Sequence, residues 1–214
     1  MSGDDVDTLD IHARTGRNRR EIADLLDGLA PDQWEAPTLC EGWTVRHLAA
    51  HLLQPMLVGF GRFFLASIRH RGDTAATVDH LARRLAGREP AEIVDLLGEH
   101  SGDHVDPPRV GPMGPFAETC IHLRDLARPL ALPVDARRED WLVLLDHLCS
   151  GEAAPGLVDR RRIEGLSLRA TDADWQHGQG PEVVGTLEAL TMAVTGRRVV
   201  LPELRGPGVE ALAS

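Results

Sequence analysis

The stretch Trp43-Thr44-Val45-Arg46-His47-Leu48-Ala49-Ala50-His51-Leu52 decides how the chain begins to fold. Thr44 belongs to the residue types that cap helices. From Val45 onward, apolar side chains recur at helical spacing as far as Phe63, and Gly72 ends the pattern. The sequence therefore predicts one long core helix that begins at Val45.

Helical patterns on both sides of this segment predict a bundle. The predicted helices cover residues 9–29, 74–86, 90–97, 115–128 and 139–149. Residues 101–114 contain glycine and proline, which indicates a loop. We therefore expect a helix-bundle domain over residues 1–150.

The pattern changes after Gly151. Residues 166–169 alternate between apolar and polar side chains, as in a half-buried strand, and 182–184 are predicted to return as a second strand. Between them, 172–181 is turn-rich, and Thr186 is predicted to cap a helix. A small α/β domain is expected over residues 151–214.

Composition excludes several classes of function. Asp and Glu number 33 against 23 basic residues, and the formal charge of -10 gives no general attraction to nucleic acid or anionic membranes. Every basic residue is arginine, so no lysine can form a Schiff base. The amino terminus lacks a secretory signal, and no apolar run reaches the ~18 residues of a membrane span. We expect a cytoplasmic protein whose three cysteines are reduced thiols.

A metal site is the strongest chemical hypothesis. Glu118 and His122 are four residues apart on a predicted helix, where they differ by about 40° around the axis. Asp125 lies on the same arc and can either orient His122 or face water. His51, from the helix that begins at Val45, would complete three ligands and leave an open position, as in catalytic zinc sites. Two alternatives are a His47–His51 ligand pair and an exposed Glu118–His122 pair without metal.

Three segments resemble the mycothiol-dependent maleylpyruvate isomerase family, which belongs to the DinB-like metal-binding bundles. The first segment covers residues 29–34 and 37–52, and the second is Glu118-Thr119-Cys120-Ile121-His122-Leu123-Arg124-Asp125. The third runs from Leu168-Arg169-Ala170-Thr171-Asp172 to Gly196-Arg197. The resemblance implies a mainly α fold, an antiparallel four-helix bundle followed by a small α/β domain.

The same resemblance implies His51, Glu118 and His122 as zinc ligands, with His47 outside the site. Other divalent ions also suit two histidines and a glutamate. Mycothiol, a low-molecular-weight thiol, is implied as cosubstrate. Its thiolate would add to maleylpyruvate, the resulting single bond would rotate, and elimination would give fumarylpyruvate.

A dicarboxylate substrate needs a cationic partner, and arginine provides bidentate contacts. Arg197 is the first candidate, as a catalytic residue, and Arg169 and Arg198 are candidates for substrate binding. Two other functions stay open: a mycothiol S-transferase for detoxification or biosynthesis, and a non-catalytic metal-binding or regulatory module. The expected partners are a small-molecule electrophile and the thiol, in a monomer or homodimer.

Overall fold

The chain consists of two compact units, residues 1–134 and 135–214. The structure, a computed structural model, describes residues 8–108, 110–134, 137–154 and 156–213. Residues 1–7, whose acidic composition is unlike a secretory signal, lie outside the described residues. None of the described helices is long and apolar enough to cross a membrane.

The first unit is helical. Its helices are α1 (Thr8–Asp27), α2 (Val45–Leu52), α3 (Gln54–Leu57), α4 (Phe60–Arg69), α5 (Thr74–Leu85), α6 (Pro90–Glu99) and α7 (Met113–Ala127). Both α1 and α2 pack against α6 and α7, so these four helices form a closed ring. Apolar side chains from all four fill one core, among them Ile22, Leu48, Ile93 and Leu126, and α5 packs on α2 at the side of the ring.

The predicted long helix from Val45 to Gly72 is wrong in its second half. It breaks into α2, α3 and α4 because Pro55 starts a new short helix and Gly59 precedes another. Helix α4 buries none of its side chains, although we expected a core helix. Its apolar row faces outward, with Phe60 exposed to 68%.

The second unit combines helices with a small sheet. It contains α8 (Arg138–Cys149), β1 (Ser167–Ala170), β2 (Gln176–Gly178), β3 (Glu182–Gly185), α9 (Leu187–Val194) and α10 (Val209–Ala213). Strand order is β2-β1-β3, with β1 antiparallel to β2 and parallel to β3. Thr186 caps α9 as predicted, since its side chain accepts a hydrogen bond from the Ala189 amide.

Two features of this unit differ from the expectation. Helix α8, which we assigned to a first domain ending at residue 150, packs on α9 and belongs to the second unit. The segment 172–181, predicted to be turn-rich, also contains the short strand β2. The predicted fold class, mainly α with a small α/β part, is confirmed.

Candidate metal centre

His51 lies in the last turn of α2, in the interior of the first unit. Its side chain is only 8% exposed, and its Nε2 lies 3.7 Å from Glu118 Oε1. Its Nδ1 is buried and makes no hydrogen bond within the described residues. Trp43 covers the ring, with centroids 5.1 Å apart. His51 is therefore a fixed imidazole aimed at a carboxylate of another helix.

Glu118 and His122 lie one turn apart on α7, which packs against α2. Glu118 keeps 32% of its side chain exposed, which makes it the most exposed of the three predicted ligands. The His122 ring stands edge-on to that of His51, with centroids 5.2 Å apart. His51 is thus a neighbour of both Glu118 and His122. Among the described residues, however, the ligand atoms of these three side chains are not a group that lies within 4.8 Å of one another.

Asp125 holds the ring of His122. Its Oδ2 lies 2.9 Å from His122 Nδ1, and its side chain is completely buried. Because a carboxylate only accepts, it fixes the proton on Nδ1 and leaves Nε2 as the nitrogen with a lone pair once the ring is neutral. Of the two alternatives for Asp125, the structure shows the contact with His122 and not a side chain in water.

Cys40 also contacts this pair, which sequence analysis did not predict. Its Sγ lies 3.4 Å from Asp125 Oδ2, to which it donates, and 3.8 Å from His122 Nδ1. The thiol is held in a tight loop, where the Cys40 amide donates to Thr38 Oγ1 and the Leu39 amide donates to the Asp125 carbonyl. The potential ligand atoms of Cys40, His122 and Asp125 lie within 4.8 Å of one another, which makes them a rival metal-binding set.

Burial and neighbouring charges separate the protonation states of these groups. Burial, with the charge of His122, lowers the pKa of His51 to about 3 against a weaker effect of Gln54, so His51 is neutral at pH 7. Burial also disfavours the charged form of His122, but hydrogen bonds with Asp125 and Cys40 outweigh it and raise the pKa of His122 to about 9. Burial raises the pKa of Glu118, partly offset by the charges of His122 and Arg19.

Comparison with known proteins bears on the first unit directly. Residues 16–103 match the family model described as the mycothiol maleylpyruvate isomerase N-terminal domain. The first unit is similar to this domain over those residues. The resemblance drawn from the sequence motifs is therefore confirmed. Among curated proteins, no sequence matches the chain.

Two solved structures share the fold over nearly the whole chain. One is the mycothiol-dependent maleylpyruvate isomerase, with 15% sequence identity and a TM-score of 0.57. The other is a histidine-to-alanine mutant of the mycothiol-dependent maleylpyruvate isomerase, with 14% identity and a TM-score of 0.58. Each alignment covers 95% of this chain and 94% of the other. At 14–15% identity the similarity shows the fold alone, and the chemistry must be argued from the residues of this chain.

Within the first unit, His47 has a different role from His51. His47 Nδ1 accepts a hydrogen bond from the Thr44 amide at 3.3 Å and lies 3.0 Å from Thr44 Oγ1, so it takes part in a capping box at the start of α2. Burial and the charge of Arg83 lower its pKa. The rival His47–His51 ligand pair therefore has one member already engaged at the other end of the helix.

A buried arginine is a further residue that sequence analysis missed. Arg19 of α1 is 2% exposed and donates to the carbonyls of Ser101 and Asp103. Burial lowers its pKa, and the charges of Asp103 and Glu118 oppose this effect. Arg19 thus contributes a positive charge that favours ionised Glu118.

The three arginines proposed for substrate recognition lie in the second unit. Arg169 on β1 pairs with Glu182 on β3 at 2.8 Å, an ion pair that the strand register creates. Arg197 donates to the Thr195 carbonyl at 2.9 Å, just after α9. Arg198 is exposed, and its side chain makes no hydrogen bond or ion pair within the described residues.

Proposed function

We propose that the chain is a metal- and mycothiol-dependent enzyme of the maleylpyruvate isomerase family. The observation that carries this proposal is the approach of His51 on α2 to two side chains of α7. Its Nε2 lies 3.7 Å from Glu118 Oε1, and its ring centroid lies 5.2 Å from that of His122. The domain match over residues 16–103 supports the same reading. The ring of α1, α6, α2 and α7 supports the four-helix bundle that the resemblance implies.

His51 and Glu118 are spaced as two ligands of one zinc ion would be, and His122 would need a small shift to join them. Two ligands at ~2.0–2.1 Å from a tetrahedral zinc lie about 3.3 Å apart, close to the observed His51–Glu118 separation of 3.7 Å. That separation exceeds a normal hydrogen bond, so the two groups do not satisfy each other. A histidine that donates its other N–H to a carboxylate is typical of metal ligands, and His122 has this arrangement with Asp125.

The rival set of Cys40, His122 and Asp125 fits less well. Asp125 and His122 already share a hydrogen bond of 2.9 Å, and the Cys40 thiol donates to the same carboxylate. Asp125 is completely buried, whereas Glu118 is 32% exposed. A small-molecule substrate therefore has access to the Glu118 side and not to the Asp125 side. We assign Cys40 and Asp125 to the support of His122.

The role of each residue follows from its protonation and exposure. A divalent cation, if held by the three ligands, would favour the deprotonated form of a thiol that reaches it. His51 is neutral and needs no proton transfer before it binds a cation, while Asp125 keeps His122 in one orientation. Glu118, the most exposed of the three, would carry its negative charge when it binds the cation.

The reaction that we propose is the isomerisation of maleylpyruvate to fumarylpyruvate. The mycothiol thiolate adds to the conjugated double bond, the new single bond rotates, and elimination restores the thiol and a trans double bond. Arg197, Arg169 and Arg198 are proposed as carboxylate-binding residues, with Arg197 catalytic. Arg198 needs to break no described ion pair to do so, whereas Arg169 must leave Glu182.

Turnover of maleylpyruvate with zinc-loaded protein tests this proposal. Conversion should require mycothiol, leave the thiol concentration unchanged and be lost in His122→Ala. Asp24→Asn, an exposed change on α1, serves as the control and should keep full activity. If mycothiol is consumed and the product carries it in a covalent bond, the protein is an S-transferase instead. Absence of thiol-dependent turnover with maleylpyruvate and with other electrophiles would refute the enzyme and favour a non-catalytic metal-binding module.

A further inference from the structure

A groove lies between α4 and α5, and none of the proposed metal ligands lines it. Its volume is about 640 Å³, within the ~300–1,000 Å³ typical of small-molecule sites. Leu57 and Leu65 line one side, and Leu81 and Leu85 of α5 line the other. Both α5 leucines are buried, at 7% and 9% exposure, and form the apolar floor. The groove can therefore take an apolar body of moderate size.

Arginines line both walls of this apolar groove. Arg62 and Arg69 are seven residues apart on α4, a spacing that returns to the same face after about 700°. Arg84 and Arg88 contribute from α5 and the residues after it. No aspartate or glutamate is among the described residues that line the groove, although the chain as a whole has a formal charge of -10.

Most of these guanidinium groups have no intramolecular partner. Arg88 pairs with Glu92 at 3.0 Å. Within the described ranges, the side chains of Arg62, Arg69 and Arg84 make no hydrogen bond or ion pair. Three unpaired positive charges around one concave apolar surface repel one another, and a bound anion relieves that repulsion.

An uncovered apolar side chain in the wall of the groove also indicates an occupant. Helix α4 buries no side chain, and Leu65, which lines the groove, is exposed to 68%. With Leu57, Val58 and Ala66 it forms an apolar wall, and exposed apolar patches often mark binding sites. Contact with α5 is the main packing of α4, and an occupant of the groove would contact both helices.

We propose that the groove binds an organic anion with an apolar body and one acidic group, of the carboxylate class. The apolar part would lie on Leu81 and Leu85, and the acidic group would pair with Arg62 and Arg84 from opposite walls. A concave site with cations on two sides favours a small molecule over a flat membrane surface. This ligand would bind whether or not the metal centre is active.

Calorimetric titration of the full chain with decanoate, below its micelle concentration, tests this proposal. Decyltrimethylammonium has a similar apolar length and the opposite charge, so it should not bind, whereas decanoate should bind at one per chain. The double variant Arg62→Gln/Arg84→Gln should weaken decanoate binding roughly fivefold to tenfold, as expected for two exposed ion pairs. Arg161→Gln removes one exposed charge from the second unit and should leave the affinity unchanged.

Four results would overturn the proposal. One is equal binding of the two probes, and another is decanoate affinity that survives the double substitution. A third is a dimer in sedimentation that dissociates on Leu65→Ser, which would assign the groove to a second copy of the chain. The last is binding to phosphatidylglycerol vesicles without binding of free decanoate, which would assign it to a membrane surface.

Discussion

The substitution Asp125→Asn tests how the protein controls its proposed metal ligand His122. The exchange keeps the shape of the side chain and removes the charge that contacts His122 Nδ1 at 2.9 Å. Loss of such a supporting carboxylate typically weakens metal binding about 10- to 100-fold, or roughly 1.4–2.8 kcal/mol. A second effect opposes this one, because Asp125 also raises the pKa of His122.

The sign of the pH effect follows from that pKa. His122 has a pKa of about 9 in the metal-free protein, so at pH 6–8 a proton must leave before a cation can bind. Zinc affinity of the wild type should therefore rise about tenfold per pH unit, or roughly 100-fold from pH 6 to pH 8. In Asp125→Asn the pKa moves toward its ordinary value of 6.5, and the increase over the same range should be about fourfold.

Competition with a chromophoric chelator between pH 6 and pH 8 measures the zinc affinity of both proteins as a function of pH. The affinities of wild type and Asp125→Asn should be similar at pH 7, and the wild type should bind zinc more tightly than the variant at pH 8. Asp24→Asn should reproduce the wild-type curve. Equal slopes in wild type and Asp125→Asn would refute the reasoning that Asp125 sets the protonation of a ligand.

Three further predictions concern stability and reactivity. Leu126→Ala removes a core side chain that is 1% exposed and should lower the free energy of unfolding of the first unit by about 2–5 kcal/mol in urea titrations. Thr186→Ala removes the cap of α9 and should cost about 1 kcal/mol, whereas Thr186→Ser should restore most of it. Burial and the charge of Asp146 raise the pKa of Cys149 to about 12, so its alkylation rate should still rise tenfold per pH unit from pH 8 to pH 10. A plateau near pH 9 in mass-spectrometric labelling would contradict the last prediction.

Local sequence signals predicted most helices well. Helices α1, α5, α6 and α7 begin and end within a few residues of the predicted bounds, because apolar spacing and helix-ending residues are local. The single helix predicted from Val45 failed since the apolar row continues through Pro55 and Gly59, where the backbone turns. Periodicity alone does not show whether a row faces a core or solvent, and α4 faces outward.

The candidate site was predictable only where its residues are close in sequence or form a known motif. The contact of Asp125 with His122 follows from a spacing of three on one helix. Cys40 lies 82 positions from His122, and its contact depends on the loop that precedes α2, which no local spacing reveals. The pairing of Arg169 with Glu182 likewise depends on the β1–β3 register.

Elemental analysis of metal content tests the central claim most directly. Wild-type protein and folded His51→Ala, His122→Ala and Cys40→Ala variants would each be supplied with zinc and then freed of excess ion. We expect about one zinc per chain in the wild type and in Cys40→Ala, and none in His51→Ala or His122→Ala. Zinc retained by His51→Ala but lost from Cys40→Ala would contradict the proposed ligands and assign the metal to Cys40, His122 and Asp125. A folded wild type that binds no divalent metal would contradict the metal centre altogether.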